Sequence, residues 1–232
     1  MTGHAVRLEG VHFRRPGPEG FEVAAHSLRV SPGEVVALVG PSGSGKSTLL
    51  QLISGELVPG DGAVHVAGEN ISSQSEADRR RLRLQRIGVV AQTLSLIEYL
   101  NGIENILLAA TLLGRARDER GRAKELAARL EVTHVLRRRP ARMSQGERQR
   151  IAVCRALLMR PPVLLCDEPT GNLDAQRGSL AVELMLAAAR SHDAAVVIAT
   201  HDDRVLPYAD RVVEVASLSE KAQSAEPAGD AR

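Results

Sequence analysis

Four short apolar runs, EVVALVG (34–40), VLLCD (163–167), AVVIAT (195–200) and RVVEV (211–215), lack the alternation of a half-buried strand and are bounded by turn residues. Runs of this kind predict strands of a mostly parallel sheet covered on both faces. The first 30 residues and GAVHVAGE (62–69) instead alternate apolar and polar positions between Gly/Pro turns, which predicts antiparallel strands at one edge. From about 98 to 137 the period changes again. IENILLAATLL and RAKELAARLEVTHVL space apolar residues by three and four, as with Leu126 and Leu130, and predict helices. The chain reads as an α/β core over 1–216 with an α-helical subdomain inserted at about 93–150. Residues 217–232 are small and polar without a periodic apolar face, and read as a disordered tail.

Composition narrows this picture only a little. At 232 residues and 44% hydrophobic content, the chain is large enough for one domain with a substantial core and an inserted lobe. Thirty Lys+Arg against 28 Asp+Glu leave a formal charge of +2, so electrostatics give no reason to expect a nucleic acid or lipid surface as partner. The arginine-rich ADRRRLRLQR (77–86) reads as a solvated helix face. No apolar run approaches the roughly 20 residues of a bilayer-crossing helix, and MTGHAVRLEG lacks the charged-then-apolar order of a secretion signal; an intracellular protein is expected. Cys154, in an amphipathic helical pattern, and Cys166, in an apolar strand, read as buried thiols and not as a disulfide or metal site.

The chemistry begins at GPSGSGKST, residues 40–48, which fits the pattern Gly, four residues, Gly-Lys-Ser/Thr between a predicted strand and the apolar helix STLLQLIS. The segment Gly40, Pro41, Ser42, Gly43, Ser44, Gly45 would curl its N–H groups around phosphates at a positively polarised helix start. Lys46 would reach the β- and γ-phosphates, Ser47 would ligate Mg²⁺, and Thr48 closes the loop. VLLCDEPT ends an apolar strand in acid, at the sheet edge where ligands of open α/β folds bind. Asp167 is then suited to hold magnesium through water, and Glu168 to act as general base for the attacking water. Alone, these two carboxylates would read equally as a helix cap or solvated turn; the phosphate loop selects the catalytic reading. His201 in VVIATHDD also ends a buried strand, where periodicity does not separate a hydrogen-bonded rim residue from a phosphate contact.

The phosphate loop, Gln92 in GVVAQTLSLIEYL, MSQGERQRIAVCRALL, CDEPTGNLD and ATHDD occur in the order found in ATP-binding-cassette (ABC) ATPases, and the chain resembles that family from about residue 5 to 215. The resemblance implies that Met143-Ser144-Gln145-Gly146-Glu147 is a signature motif that binds ATP held on the phosphate loop of a second copy, through Ser144 and Gly146. Gln145 and Glu147 depart from the family's Gly and Gln without removing those contacts. The same stretch is also an N-capped amphipathic helix with Ile151, Cys154 and Leu158 on its buried face, and the two readings coexist. By resemblance, Gln92 contacts magnesium or the attacking water, Asp174 forms a loop that bridges the dimer, and His201 touches the γ-phosphate. Phe13 is the candidate to stack on adenine, with Phe21 the alternative. Ala91 stands where an aromatic is common, which implies a looser seat for the helical lobe.

DEPTGNLD and LSLIEYLNGIENILLAATLLG most resemble the branch holding lipoprotein-releasing, macrolide-export and cell-division cassettes. That implies a homodimer that hydrolyses ATP and drives a separate membrane permease, which docks near residues 94–104 on the cytoplasmic face of the membrane. The alternative within the branch is a regulatory cassette that controls a cell-envelope hydrolase without transport. Cassettes acting on DNA or the ribosome usually carry two fused units or a long coiled-coil insertion, and a GTPase would carry Asn-Lys-x-Asp; the sequence has none of these.

Overall fold

The computed structural model of the chain describes residues 3–15, 21–170 and 175–219. The alternating N-terminal segments become β1 (Val6–Arg14) and β2 (Glu22–Val30), paired antiparallel with Val6 opposite Val30 and Phe13 opposite Val23. The first apolar run is β3 (Val35–Val39), which leads through the glycine-rich loop into α1 (Lys46–Ile53). β4 (Asp61–Val66) adds to the free edge of β1 and β5 (Glu69–Asn70) to β4, giving an antiparallel sheet ordered β2-β1-β4-β5. α2 (Glu76–Arg86) precedes β6 (Ile87–Val90). The helical stretch follows as α3 (Gly102–Ile106), α4 (Leu108–Leu112), α5 (Arg120–Arg129) and α6 (Gln145–Leu157). β7 (Val163–Asp167), α7 (Ala175–Arg190), β8 (Ala195–Ala199) and β9 (Arg211–Glu214) complete a parallel sheet ordered β6-β7-β8-β3-β9.

Unalternating apolar runs are needed here because successive side chains leave opposite faces of a sheet that is covered on both. Leu164, Cys166, Val196 and Ile198 meet Val153 and Leu157 of α6 and Leu186 of α7 in one core. Leu38, Leu165, Val197 and Ala199 meet Leu49, Leu52 and Ile53 of α1, together with Leu8, Leu28 and Val64 of the antiparallel sheet, in the other. The sheet edge is thus fixed from both sides.

Two details depart from the sequence pattern. The period of IENILLAATLL is interrupted at Leu107 (φ −77°, ψ 0°), so that α3 and α4 are two short helices. The C-terminal segment expected to be a tail from 217 continues as a 3-10 turn over Val215–Ser219, because Val215 and Leu218, three apart, are both buried against the core under β2. Residues 220–232 lie outside the described residues.

Candidate functional site

The register of the parallel sheet assembles the site. Leu38 of β3 and Asp167 of β7 both lie level with Ala199 of β8, which runs between them. The residues that follow, the phosphate loop, Glu168 and the Thr200-His201 pair, therefore emerge side by side at one carboxyl edge. Backbone bonds from Thr200 N–H to Leu38 O (3.0 Å) and from Glu168 N–H to Ala199 O (2.8 Å) carry the ladder one residue beyond the strands.

Within the phosphate loop, Gly43 (φ 81°) and Gly45 (φ 102°) adopt left-handed backbone that L side chains rarely enter. Gly45 has a second reason to lack a side chain: a Cβ there would stand 2.6 Å from Val23 Cγ2. α1 begins at Gly45 without a side-chain cap and with no acidic residue in its first turn. Its leading N–H groups are therefore left for an anion. By contrast α2, α3 and α6 are capped by the side chains of Ser75, Asn101 and Ser144. Lys46 is buried, and its ammonium donates to the carbonyls of Gly40 (2.7 Å) and Pro41 (3.1 Å). Pro41, Ser42 and Gly43 form the exposed crown, Thr48 is buried in α1, and the buried Ser44 Oγ has no hydrogen-bond partner among the described residues.

Asp167 and Ser47 both line the inner end of one groove, and the buried Oδ1 of Asp167 has no hydrogen-bond partner among the described residues. Burial pushes its carboxyl above the usual carboxylate value and the charge of Glu168 adds to this, while the Ser47 hydroxyl and the Lys46 ammonium oppose it. A hydroxyl beside a carboxylate with one oxygen orphaned suits a hard cation that keeps waters and phosphate oxygens as its remaining ligands. Magnesium fits these residues.

Glu168 has φ 46°, a left-handed conformation that is costly for a non-glycine residue and that concentrates at functional sites. Its Oε1 lies 2.6 Å from His201 Nδ1, and its Oε2 accepts from Thr200 Oγ1 (3.2 Å) and from His201 N–H (3.4 Å). The carboxylate is nearly enclosed while the imidazole is 67% exposed. Two further bonds hold this edge. The buried Gln149 of α6 donates its side-chain amide to Pro169 O, and Thr170 Oγ1 donates to Asp202 Oδ2 (2.6 Å). Sequence reading missed both; the available signal for Gln149 was a polar residue four positions before the buried Val153.

Phe13 packs inward with Val11 and Val23, following the alternation of β1, and is buried in the core. Phe13 is the residue expected to stack on adenine, and in this structure its side chain lies in the core. The half-buried Phe21 is the aromatic beside the loop, its Cζ 3.4 Å from where a Cβ on Gly45 would stand. Gln92 lies exposed in the turn after β6, and Asp174 lies outside the described residues.

Ser144 caps α6 in a reciprocal box: its hydroxyl accepts from Glu147 N–H (3.3 Å) and its N–H donates to Glu147 Oε2 (2.7 Å). Gly146, in the first turn, has no positive φ, and a Cβ there would meet nothing within 4 Å.

A groove of 460 Å³ runs outward from Ser47 and Asp167 between α1, α2 and β6 on one side and α4 and α6 on the other. Leu50, Leu84, Ala91, Leu108, Leu112 and Met159 give it an apolar lining. Of the stretch 94–104, Ser95 lines it. The neighbouring chain turns away because the fully buried Asn105 amide gathers the carbonyls of Ile97, Leu100 and Asn101, each at 3.1 Å. Arg155 of α6 donates to the carbonyls of Leu94 (2.6 Å) and Ser95 (2.7 Å), two consecutive left-handed residues.

The profile of the ABC transporter family matches residues 23–171. The lipoprotein-releasing system ATP-binding protein LolD 2 of Caulobacter vibrioides is 44% identical over 187 residues, 80% of this chain and 82% of that protein. LolD of Novosphingobium aromaticivorans is 44% identical over 219 residues, 93% of this chain and 97% of its own. Among solved structures, the dimeric bacterial ABC transporter cassette MJ0796 superposes with a TM-score of 0.81 at 30% identity, covering 90% of this chain and 93% of that one. Its post-hydrolysis dimer with ADP and Pi superposes with a TM-score of 0.79 at the same identity and coverage.

Proposed function

The chain belongs to the ABC transporter family as an ATP-hydrolysing, nucleotide-binding subunit, and from that premise we propose that two copies close around two ATP molecules to drive a lipoprotein-releasing membrane permease. The observation that carries the hydrolytic part is the alignment of Leu38, Asp167 and Ala199 on three adjacent strands, which supports a single site built from the phosphate loop, Asp167 and the Glu168-His201 pair.

In that site the free N–H groups opening α1 receive phosphate oxygens, and Lys46 exchanges its bonds to the Gly40 and Pro41 carbonyls for charge-assisted bonds to the β- and γ-phosphates. Phe21 stacks on the base. Ser47 and Asp167 would hold magnesium, with Gln92 in the turn after β6 placed to contact it or the attacking water. When bound, that ion neutralises phosphate charge as the γ-phosphoryl group transfers. Glu168, held by Thr200 and His201, takes a proton from the water as its oxygen bonds to the γ-phosphorus and ADP leaves. His201 contacts the γ-phosphate through the outer side of its exposed ring.

Ser144 and Gly146 bind the ATP carried by the other copy, with Gln145 and Glu147 in the same turn and Asp174 bridging the pair. Gly146 supports this reading: a glycine costs an α-helix about 0.5–1 kcal/mol relative to alanine, and nothing among the described residues occupies the space a Cβ would take. The ATPase domain spans 1–216, with its helical lobe at about 93–150. The permease docks in the apolar groove, whose inner end reaches Ser47 and Asp167, and so holds the subunit on the inner face of the membrane.

Glu168→Gln is expected to bind ATP, to hydrolyse it at least about 100-fold more slowly, and to accumulate as a dimer in Mg-ATP when followed by light scattering. A monomer at saturating Mg-ATP would refute self-association. Recovery of this variant from membranes without a permease would refute the transport role.

A further inference from the structure

His134 sits in a 3-10 turn, Thr133–Val135, outside the motifs that define the site. Its Nε2 lies 2.7 Å from Glu147 Oε1. Glu147 Oε2 meanwhile accepts the Ser144 N–H at 2.7 Å, so the one carboxylate bridges His134 and the cap of the signature helix. We propose that His134 is a positioning residue for the signature, holding Glu147 so that α6 stays capped when the Ser144 hydroxyl turns to the phosphate of the ATP on another copy.

The two halves of the cap are unequal. The Ser144 hydroxyl accepts from Glu147 N–H at 3.3 Å, near the outer limit of a useful bond, whereas the carboxylate half at 2.7 Å is short and charge-assisted. Donation of the hydroxyl proton to a phosphate leaves its lone pairs for the Glu147 N–H, and a turn of the Ser144 rotamer that ends this acceptance breaks the weaker half only. What remains depends on the Glu147 side chain keeping its rotamer, and His134 supplies its second anchor. The anchor is itself fixed: Val132, Val135 and Leu136 around it are buried in the core that also takes Ile151 of α6. Consistent with a firmly held anion, the Glu147 carboxyl lies below its ordinary value, through the Ser144 N–H first and with the His134 bond adding.

α3 provides an internal comparison. Asn101 and Glu104 form the same box there, with bonds of 3.1 and 2.8 Å, and it caps its helix without a third member among the described residues. Capping alone therefore does not call for a histidine.

The inference rests on the signature acting on the ATP of another copy, and the test separates the two. In the Glu168→Gln background, ATP-driven dimerisation is measured by light scattering, and ATP affinity of the monomer with a fluorescent ATP analogue. His134→Ala is expected to weaken the dimer about tenfold, on the scale of one hydrogen bond to a charged group, while leaving monomer affinity unchanged. His134→Gln, whose amide nitrogen reaches the same oxygen, is expected to restore the dimer. Dimerisation by His134→Ala equal to its parent, or no rescue by His134→Gln, would overturn the role of His134 alone. A fall in monomer affinity matching the dimer loss would make the residue merely structural. Absence of a dimer in the parent would remove the premise, and His134 with it.

Discussion

Gly146→Ala is expected to move stability and activity in opposite directions. The residue is second in α6, its backbone is helical, and an added Cβ would meet no atom within 4 Å. Alanine at a helical position gains about 0.5–1 kcal/mol over glycine by restricting the unfolded chain and shielding the helix backbone; in a first turn the lower figure applies, about 0.5 kcal/mol. For a chain of this size that raises the melting temperature by roughly 1–2 °C. In the closed pair the same methyl group would stand where the phosphate of the other copy's ATP meets the helix N-terminus. Displacing that contact by about 1 Å is enough to cost roughly 100-fold in turnover. Thermal melts without nucleotide and steady-state ATPase assays, with light scattering in the Glu168→Gln background, read the two effects separately. A lower melting temperature would mean that the chain itself needs the glycine. Unchanged turnover and dimerisation would mean that nothing approaches residue 146, and the sandwich would have to be abandoned.

Other outcomes follow from burial and charge. Burial pushes the Cys154 thiol up to about 12 and Cys166 higher still, with the charge of Asp167 adding in the latter. Both thiols are therefore held in the unreactive protonated form at pH 8, so iodoacetamide should leave both thiols of the native chain intact and modify both in urea; equal rates in the two conditions would show that these positions open readily. Asp202 is held well below its ordinary value of 3.8 by its bonds to Arg204, with the Thr170 hydroxyl adding. Because the folded value is the lower one, the stabilisation is complete above about pH 4 and is lost as pH falls. Asp202→Asn should therefore lower stability by about 1–3 kcal/mol at pH 7 and flatten the acid limb in urea titrations; an unchanged midpoint at pH 7 would show that the charge of Asp202 contributes nothing.

Much of this protein is local in origin. The phosphate loop is legible because its glycines, Lys46 and Ser47 work through backbone shape within nine consecutive residues, and the unalternating runs predict the parallel sheet because burial on both faces removes polar positions. The cap at Ser144 and the acidic strand end at Asp167 are equally short-range. Tertiary structure decided what depends on register and on who packs beside whom. Strand β8 lies between β3 and β7, far from both in sequence, and only that order brings His201 to Glu168. Phe13 and Phe21 carry the same chemistry, eight positions apart, and the pairing of β1 with β2 buries the first and leaves the second beside Gly45. Asn105, Gln149 and His134 matter through side-chain bonds to partners 4 to 20 positions away. A hydrogen bond has no period along the chain, so only the folded geometry discloses it.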